Sequence, residues 1–198
     1  MTTPKIKNRL FILLLFCMAI VPFLLAWLLN GKAPFMSGKT NKGQLIAPVV
    51  ATERSDLLGL DKFSADNIAE LKGHWVMLNV VPLADCSKIC LEAIHKTKQL
   101  RLMLNKDLTR TRRAVVFFKD VKPEVADQWL QNDKVLLKVK PSAALAQKIA
   151  EIRRGSISDG MLLLMDPLGN LMMQYEPGFD PYKVKSDLMH LLRISQIG

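Results

Sequence analysis

The stretch from Trp75 to Cys90 reads W-V-M-L-N-V-V-P-L-A-D-C-S-K-I-C. Its first seven residues are apolar at every position except Asn79 and rich in β-branched side chains. This pattern is typical of a strand that is buried on both faces in the middle of a mostly parallel sheet. Pro82 has no amide hydrogen to donate to a neighbouring strand, so the strand is predicted to end there.

Cys86 and Cys90 follow the strand after a short loop, and the apolar pattern beyond them predicts a helix. The N-terminus of a helix is partially positive, so it stabilises a thiolate and makes it a nucleophile or a metal ligand. Two cysteines four residues apart in a regular helix have Cβ atoms about 5–6 Å apart, whereas a disulfide needs about 3.8 Å. A disulfide therefore requires Cys86 to lie in the loop before the helix.

Three kinds of chemistry remain open for this pair. Two thiolates can hold one soft ion, and sulfur ligands select Cu(I). Thiols at a helix N-terminus can also exchange disulfides with another protein. The third alternative is a static disulfide or an inert pair. We predict Cys86 and Cys90 as the catalytic residues and as the candidate metal ligands, with Cu(I) the only candidate cofactor.

The N-terminal segment from Leu10 to Leu29 has twenty residues and no charge, which is the length that a helix needs to cross a bilayer. Basic residues precede it, and no small-x-small cleavage site follows, so the segment is predicted to be an uncleaved anchor. The predicted organisation is a cytoplasmic N-terminus at 1–9, a transmembrane anchor at 10–29, a linker at 30–43 and a folded domain at 44–198.

The formal net charge of +10 is spread along the 198 residues, without a nucleic-acid motif or interleaved exposed aromatic residues. An anionic lipid surface explains this charge more simply, so the predicted partner is a membrane and not a nucleic acid. Arg110, Arg112 and Arg113 are expected at a solvated edge before a strand, with a face towards lipid or a partner as the alternative. Cys17 lies inside the apolar segment and is expected to have no chemistry.

The remaining pattern alternates strands and helices and closes with a hairpin around Asp166-Pro167-Leu168-Gly169-Asn170. Ser64 with Asp66 is expected to cap a short helix, and Pro141 is expected to lie in the first turn of another. Strands are predicted at 44–50, 75–81, 112–118, 134–139, 160–165 and 171–175, and helices at 63–71, 90–105, 141–153 and 180–194, with a short helix between 120 and 129.

The strand–cysteine–helix unit, the C-x-x-x-C spacing, the preceding anchor and the late Asp166-Pro167-x-Gly169 hairpin together resemble the Sco family of copper chaperones. The resemblance covers roughly residues 44–192. It implies an α/β, thioredoxin-like three-layer domain with a mixed sheet, preceded by one transmembrane helix. It also implies a role in assembling cytochrome c oxidase of the respiratory chain, with oxidase subunits or assembly factors as partners. The implied location is a bacterial inner membrane, single-pass, with the domain on the periplasmic side.

Two positions depart from that family. Ser87 follows the first cysteine where the family usually has proline, and Ser158 stands where the resemblance requires a histidine ligand of copper. The histidines of the chain are His74, His95 and His190, and His95 is the least remote candidate to replace that ligand. A site with only two sulfur ligands is expected to bind copper more weakly than the three-ligand site of the family.

Three functions follow as hypotheses. The first is an anchored assembly factor that acts on cytochrome oxidase through thiol redox chemistry or transient Cu(I) handling. The second is a general periplasmic thiol–disulfide oxidoreductase. The third is an anchored interaction module whose fold has lost its chemistry. Met161, Met165, Met172 and Met173 are expected to pack in or beside the core rather than to bind copper.

Overall fold

The structure is a computed structural model that describes residues 4–30, 40–130, 133–152, 156–195 and 197. Contacts divide the chain into two units, Met1–Thr40 and Asn41–Gly198. Most of the predicted linker at 30–43 lies outside the described residues. The first unit contains α1 (Pro4–Asn30), in which the segment Asn8–Leu28 is long and apolar enough to cross a membrane once.

The second unit is built on one seven-stranded sheet in the order β1-β7-β6-β3-β4-β5-β2. The strands are β1 (Gln44–Ala51), β2 (Leu57–Gly59), β3 (Trp75–Val81), β4 (Thr111–Phe117), β5 (Leu137–Pro141), β6 (Leu162–Met165) and β7 (Asn170–Tyr175). The helices are α2 (Lys62–Asn67), α3 (Lys88–Leu102), α4 (Pro123–Trp129), α5 (Ala143–Ile152) and α6 (Pro181–Ile194), with 3₁₀ turns at Arg54–Asp56, Ile68–Leu71 and Asn105–Arg110.

Strand β3 is the centre of the sheet, and all seven of its side chains are buried, as its apolar run predicts. Its alternate side chains Val76, Leu78 and Val80 pack with α5 on one face. Trp75 and Met77 pack with α3 and α6 on the other. The domain therefore has the predicted three layers, a thioredoxin-like arrangement of helix, mixed sheet and helix.

The sheet has fewer parallel strand pairs than predicted, since β3 was expected in the middle of a mostly parallel sheet. Strand β3 is parallel to β4 and β4 is parallel to β5, but β3 is antiparallel to β6. The other pairings, β6–β7, β1–β7 and β2–β5, are also antiparallel. The tight turn between β6 and β7 accounts for the antiparallel β6–β7 pair, because strands joined by a turn of a few residues run in opposite directions.

Arg113 contradicts the expectation of a solvated edge, because its side chain is 1% exposed. The guanidinium donates to the Asp133 carboxylate at 2.7 Å and to the carbonyl oxygen of Ile94 at 3.0 Å. Strand β4 begins at Thr111, so Arg113 lies on the face covered by α3. Burial lowers the pKa of Arg113, and the adjacent Asp133 opposes that shift.

The predicted helix starts also need correction. Pro141 ends β5 instead of opening a helix, and α5 follows Ser142, whose hydroxyl accepts a bond from the Leu145 amide at 3.1 Å. Helix α2 is capped by Asp61 and not by Ser64. The Ser64 hydroxyl is buried and accepts a bond from the Lys138 amide. Side-chain oxygens compete for backbone amides, so the better-placed neighbour becomes the cap.

The start of the domain is fixed by Asp187 of α6. Its buried carboxylate accepts bonds from the amides of Lys42 and Gly43 at 2.8–2.9 Å and from the Tyr175 hydroxyl at 2.8 Å. Burial and the Asp187 charge raise the pKa of Tyr175 above its ordinary range. These bonds hold the first residues of the domain beside the end of β7.

The two edges of the sheet are β1 and β2. Strand β1 pairs regularly with β7 at Gln44 and Leu45, and its register shifts before Val50. Pro48 lies within that interval and has no amide hydrogen to donate. Strand β2 was not predicted and has only three residues, too few to show an alternating pattern.

Candidate functional site

The two cysteines lie where β3 passes into α3. Helix α3 begins at Lys88, and the hydroxyl of Ser87 caps it by accepting a bond from the Cys90 amide at 3.4 Å. Cys86 is therefore in the loop before the helix, while Cys90 is in its first turn. Their Cα atoms are 5.4 Å apart, and the two sulfurs form a disulfide. This is the arrangement that a disulfide between residues four apart requires.

The two sulfurs differ in accessibility. Cys86 is half-buried, whereas Cys90 is 1% exposed and packs beside Val81, Ile94 and Phe117. The surface near Cys86 includes two apolar side chains, Leu83 and Ile89, that are each about half exposed, together with the exposed charges of Asp85 and Lys88. An incoming sulfur atom can approach Cys86, but Cys90 is shielded from it.

A second segment, the turn from Ser158 to Met161, lies against the cysteine loop. The Met161 amide donates to the Ser158 carbonyl at 3.3 Å, and the Val80 amide donates to the Met161 carbonyl at 3.0 Å. Gly160 has a φ of +77°. A Cβ atom at Gly160 would lie 2.8 Å from Cγ2 and 3.0 Å from the carbonyl oxygen of Ile89. Glycine is therefore required for this close approach, and the turn packs on the residue next to Cys90.

Asp159 lies in this turn beside Ser158, and its burial was not predicted from the sequence. Both of its carboxylate oxygens are buried, and neither accepts a hydrogen bond from any residue that the structure describes. A buried carboxylate is costly without a partner. The Asp159-Gly160 pair signals a turn in the sequence, but nothing in the sequence signals that its carboxylate is buried.

The other donors that could hold a metal ion lie elsewhere. His95 is exposed and paired with Gln99 at 2.9 Å, His190 is exposed on α6, and His74 precedes β3, at the opposite end of that strand from Cys86. Within the described ranges, no group of three or more His, Cys, Asp or Glu side chains could hold a metal ion. Among the described residues, the reduced thiols of Cys86 and Cys90 therefore stay the predicted ligands for Cu(I) as a cargo.

The methionines pack in or beside the core, as predicted. Met161 and Met165 lie in the cluster that includes Val76, on the face opposite to α3. Met173 is buried in the cluster beneath α3 and α6, and Met172 is partly buried against it. Their packing explains their presence without a role in metal binding.

Residues 75–195 match the model of the transmembrane-like, thioredoxin-like, C-terminal domain family. The chain belongs to this family. The matched part begins at β3 and ends at the close of α6, so it contains both cysteines and the 158–161 turn. No curated protein matches the sequence.

Solved Sco structures share the fold of this thioredoxin-like domain. Apo Sco1 from Thermus thermophilus is 16% identical, with 78% of this chain and 99% of that chain covered and a TM-score of 0.55. Yeast Sco1 with copper bound is 14% identical, with 80% and 96% covered and a TM-score of 0.52. A second crystal structure of yeast Sco1 is 14% identical, with 64% of this chain and 84% of that chain covered and a TM-score of 0.50. The predicted similarity to Sco proteins is thus confirmed at the level of the fold.

Proposed function

We propose that this chain is a membrane-anchored thiol–disulfide protein that assists the assembly of cytochrome c oxidase through Cys86 and Cys90. The observation that carries the proposal is the disulfide at the N-terminus of α3, with one sulfur accessible and the other buried. Such asymmetry separates an attacking thiol from a resolving thiol. The resemblance to Sco proteins supports proteins of cytochrome c oxidase assembly as the clients.

The proposed reaction begins with the reduced pair. The Cys86 thiolate attacks one sulfur of a client disulfide, a Cys86–client bond forms, and the other client sulfur leaves with the electron pair and takes a proton. Cys90 then attacks the Cys86 sulfur and releases the second client sulfur as a thiolate. Two electrons have passed to the client, and the domain is left with the disulfide described above. A reduced dithiol protein must then regenerate the pair.

The neighbouring residues have defined parts in this reaction. The partially positive end of α3 stabilises the Cys86 thiolate. The 5.4 Å between the Cα atoms lets Cys90 reach Cys86 without unwinding the helix. Leu83 and Ile89 present exposed apolar surface to a client segment on either side of Cys86. A general periplasmic oxidoreductase would use the same groups, so the client distinguishes the two functions.

The test uses variants of the full chain in which one cysteine of the pair is replaced, expressed in cells that assemble the oxidase. Cys90→Ser is expected to accumulate a mixed disulfide with an oxidase subunit or assembly factor, because the resolving thiol is gone. Non-reducing electrophoresis and mass spectrometry identify the captured protein.

Cys86→Ser is the matched control and is expected to capture nothing, since Cys90 is shielded. Capture of many unrelated exported proteins would favour the general oxidoreductase. Full oxidase assembly in the Cys86→Ser, Cys90→Ser double variant would eliminate the thiol mechanism and leave the interaction module.

We also propose that the folded domain lies on the periplasmic side of a bacterial inner membrane. Lys5, Lys7 and Arg9 precede the apolar helix, and a short basic N-terminus favours the cytoplasmic side. A reporter enzyme that is active only outside the cytoplasm is expected to be active when fused after Gly198. Activity of a reporter restricted to the cytoplasm at the same position would reverse the orientation.

A further inference from the structure

The folded domain begins at the cysteine end of its sheet. Gln44, the first residue of β1, pairs with Gln174 of β7. Across the next two strands, Gln174 pairs with Leu163 of β6, and Leu163 pairs with Leu78 of β3. Strand β3 runs from that level towards the cysteine loop. The chain therefore enters the domain and carries its two reactive sulfurs at the same end of the sheet.

The point of entry is fixed by α6. The Asp187 carboxylate is buried and accepts bonds from the amides of Lys42 and Gly43. In the strand order β1-β7-β6-β3, three spacings separate the entry strand from β3. Neighbouring strands are about 4.8 Å apart, so the end of β3 lies about 14 Å across the sheet from the point of entry.

A short piece of chain joins the apolar helix α1 to this entry point. It consists of residues 31–40, which we call the tether. Even a fully extended chain of this length spans at most about 40 Å. Together with the distance across the sheet, this limit keeps the sulfurs within about 55 Å of the end of α1. Entry at the opposite end of the sheet would add the length of a strand, about 20 Å.

We propose that the tether makes distance from the membrane a determinant of which clients the cysteine pair reduces. Disulfides that a partner protein holds close to the bilayer surface lie within the reach of Cys86, and disulfides farther away do not. A tethered group meets a partner in the same membrane less often as its tether lengthens beyond the required span. This inference rests on the proposed thiol–disulfide function and limits where a client disulfide can lie.

The test uses the reduced full-length chain in vesicles that contain a lipid with a pyridyl disulfide on its headgroup. The Cys86 thiolate attacks the lipid-linked sulfur, and pyridine-2-thione leaves with the electron pair and is measured by its absorbance. Cys90 then forms the disulfide with Cys86 and releases the lipid thiol. A flexible insertion of about thirty residues before Thr40 makes the tether about four times as long and is expected to slow this reaction about eightfold.

Two controls separate reach from reactivity. The same insertion placed after Gly198 leaves the tether unchanged and is expected to leave the rate unchanged. A water-soluble pyridyl disulfide is expected to react at one rate with all three proteins, because it diffuses to the thiols. If the lengthened protein reduces the lipid-linked disulfide as fast as the parent chain or faster, the inference is wrong. A parent chain that does not reduce even the soluble disulfide would remove the proposed thiol–disulfide function itself.

Discussion

Replacing Arg113 with alanine is expected to lower the free energy of unfolding by about 3–5 kcal/mol. The side chains of Arg113 and Asp133 are 1% and 5% exposed, and their charged atoms are 2.7 Å apart. The substitution leaves the Asp133 carboxylate buried, and among the described residues its remaining ionic partner is Lys98, at 3.9 Å. It also removes the donor to the Ile94 carbonyl and opens a cavity beneath α3. Urea unfolding followed by tryptophan fluorescence measures the loss, since Trp75 is buried in the core.

Arg112 offers a matched control one residue away. It also pairs with a carboxylate, that of Glu70 at 2.6 Å, but the two side chains are 22% and 48% exposed. Arg112→Ala is therefore expected to cost only about 1 kcal/mol. Arg113→Ala combined with Asp133→Ala should be no less stable than Arg113→Ala alone, because the unpaired carboxylate is gone. Additive losses in the double variant would show that the unpaired charge is not the cause.

Replacing Ser158 with histidine is expected to raise the affinity for Cu(I) on the order of a hundredfold, by adding a third donor to the two thiolates. The expectation depends on the 158–161 turn lying near the cysteines, and Gly160 packs on Ile89, in the first turn of α3 between the two cysteines. Competition with a Cu(I) chelator measures the affinities of the reduced parent chain and the variant. Cys86→Ser should abolish binding in both.

Asp159→His places the imidazole one residue further along the turn and tests which position faces the sulfurs. A parent chain that binds Cu(I) as tightly as both histidine variants would mean that another residue already completes the site, and His95 would be the first to replace. If none of the three proteins binds Cu(I), the chain has no copper role, and thiol exchange or scaffolding remains.

The fold could be predicted where the sequence pattern is local. The apolar run of β3 predicts a buried strand, and the turn residues from Asp166 to Asn170 predict the β6–β7 hairpin, both of which the structure contains. The place of Arg113 could not be predicted, because it depends on a carboxylate twenty positions away in the chain. The three-residue strand β2 is defined by its pairing with β5 and has no pattern of its own.

In the candidate site, too, local features could be predicted from the sequence and features that depend on tertiary contacts could not. Cys86 and Cys90 could be found from their spacing and from the strand before them. Asp159 could not, because the burial of its carboxylate depends on how the turn packs against a distant segment around Ile89. The residues next to each cysteine can be read directly from the sequence. The groups that surround the sulfurs in space depend on the tertiary fold.

The interrupted edge strand β1 affects how neighbouring copies of the anchored protein can pair with one another. Copies held in one bilayer meet in two dimensions, and such confinement raises their effective concentration for one another. An uninterrupted edge would offer a row of free amides and carbonyls on which a neighbouring copy could extend the sheet. Pro48 and the register shift before Val50 break that row, and β2 is too short to replace it. Both edges of the sheet thus have features that disfavour edge-to-edge pairing between crowded copies.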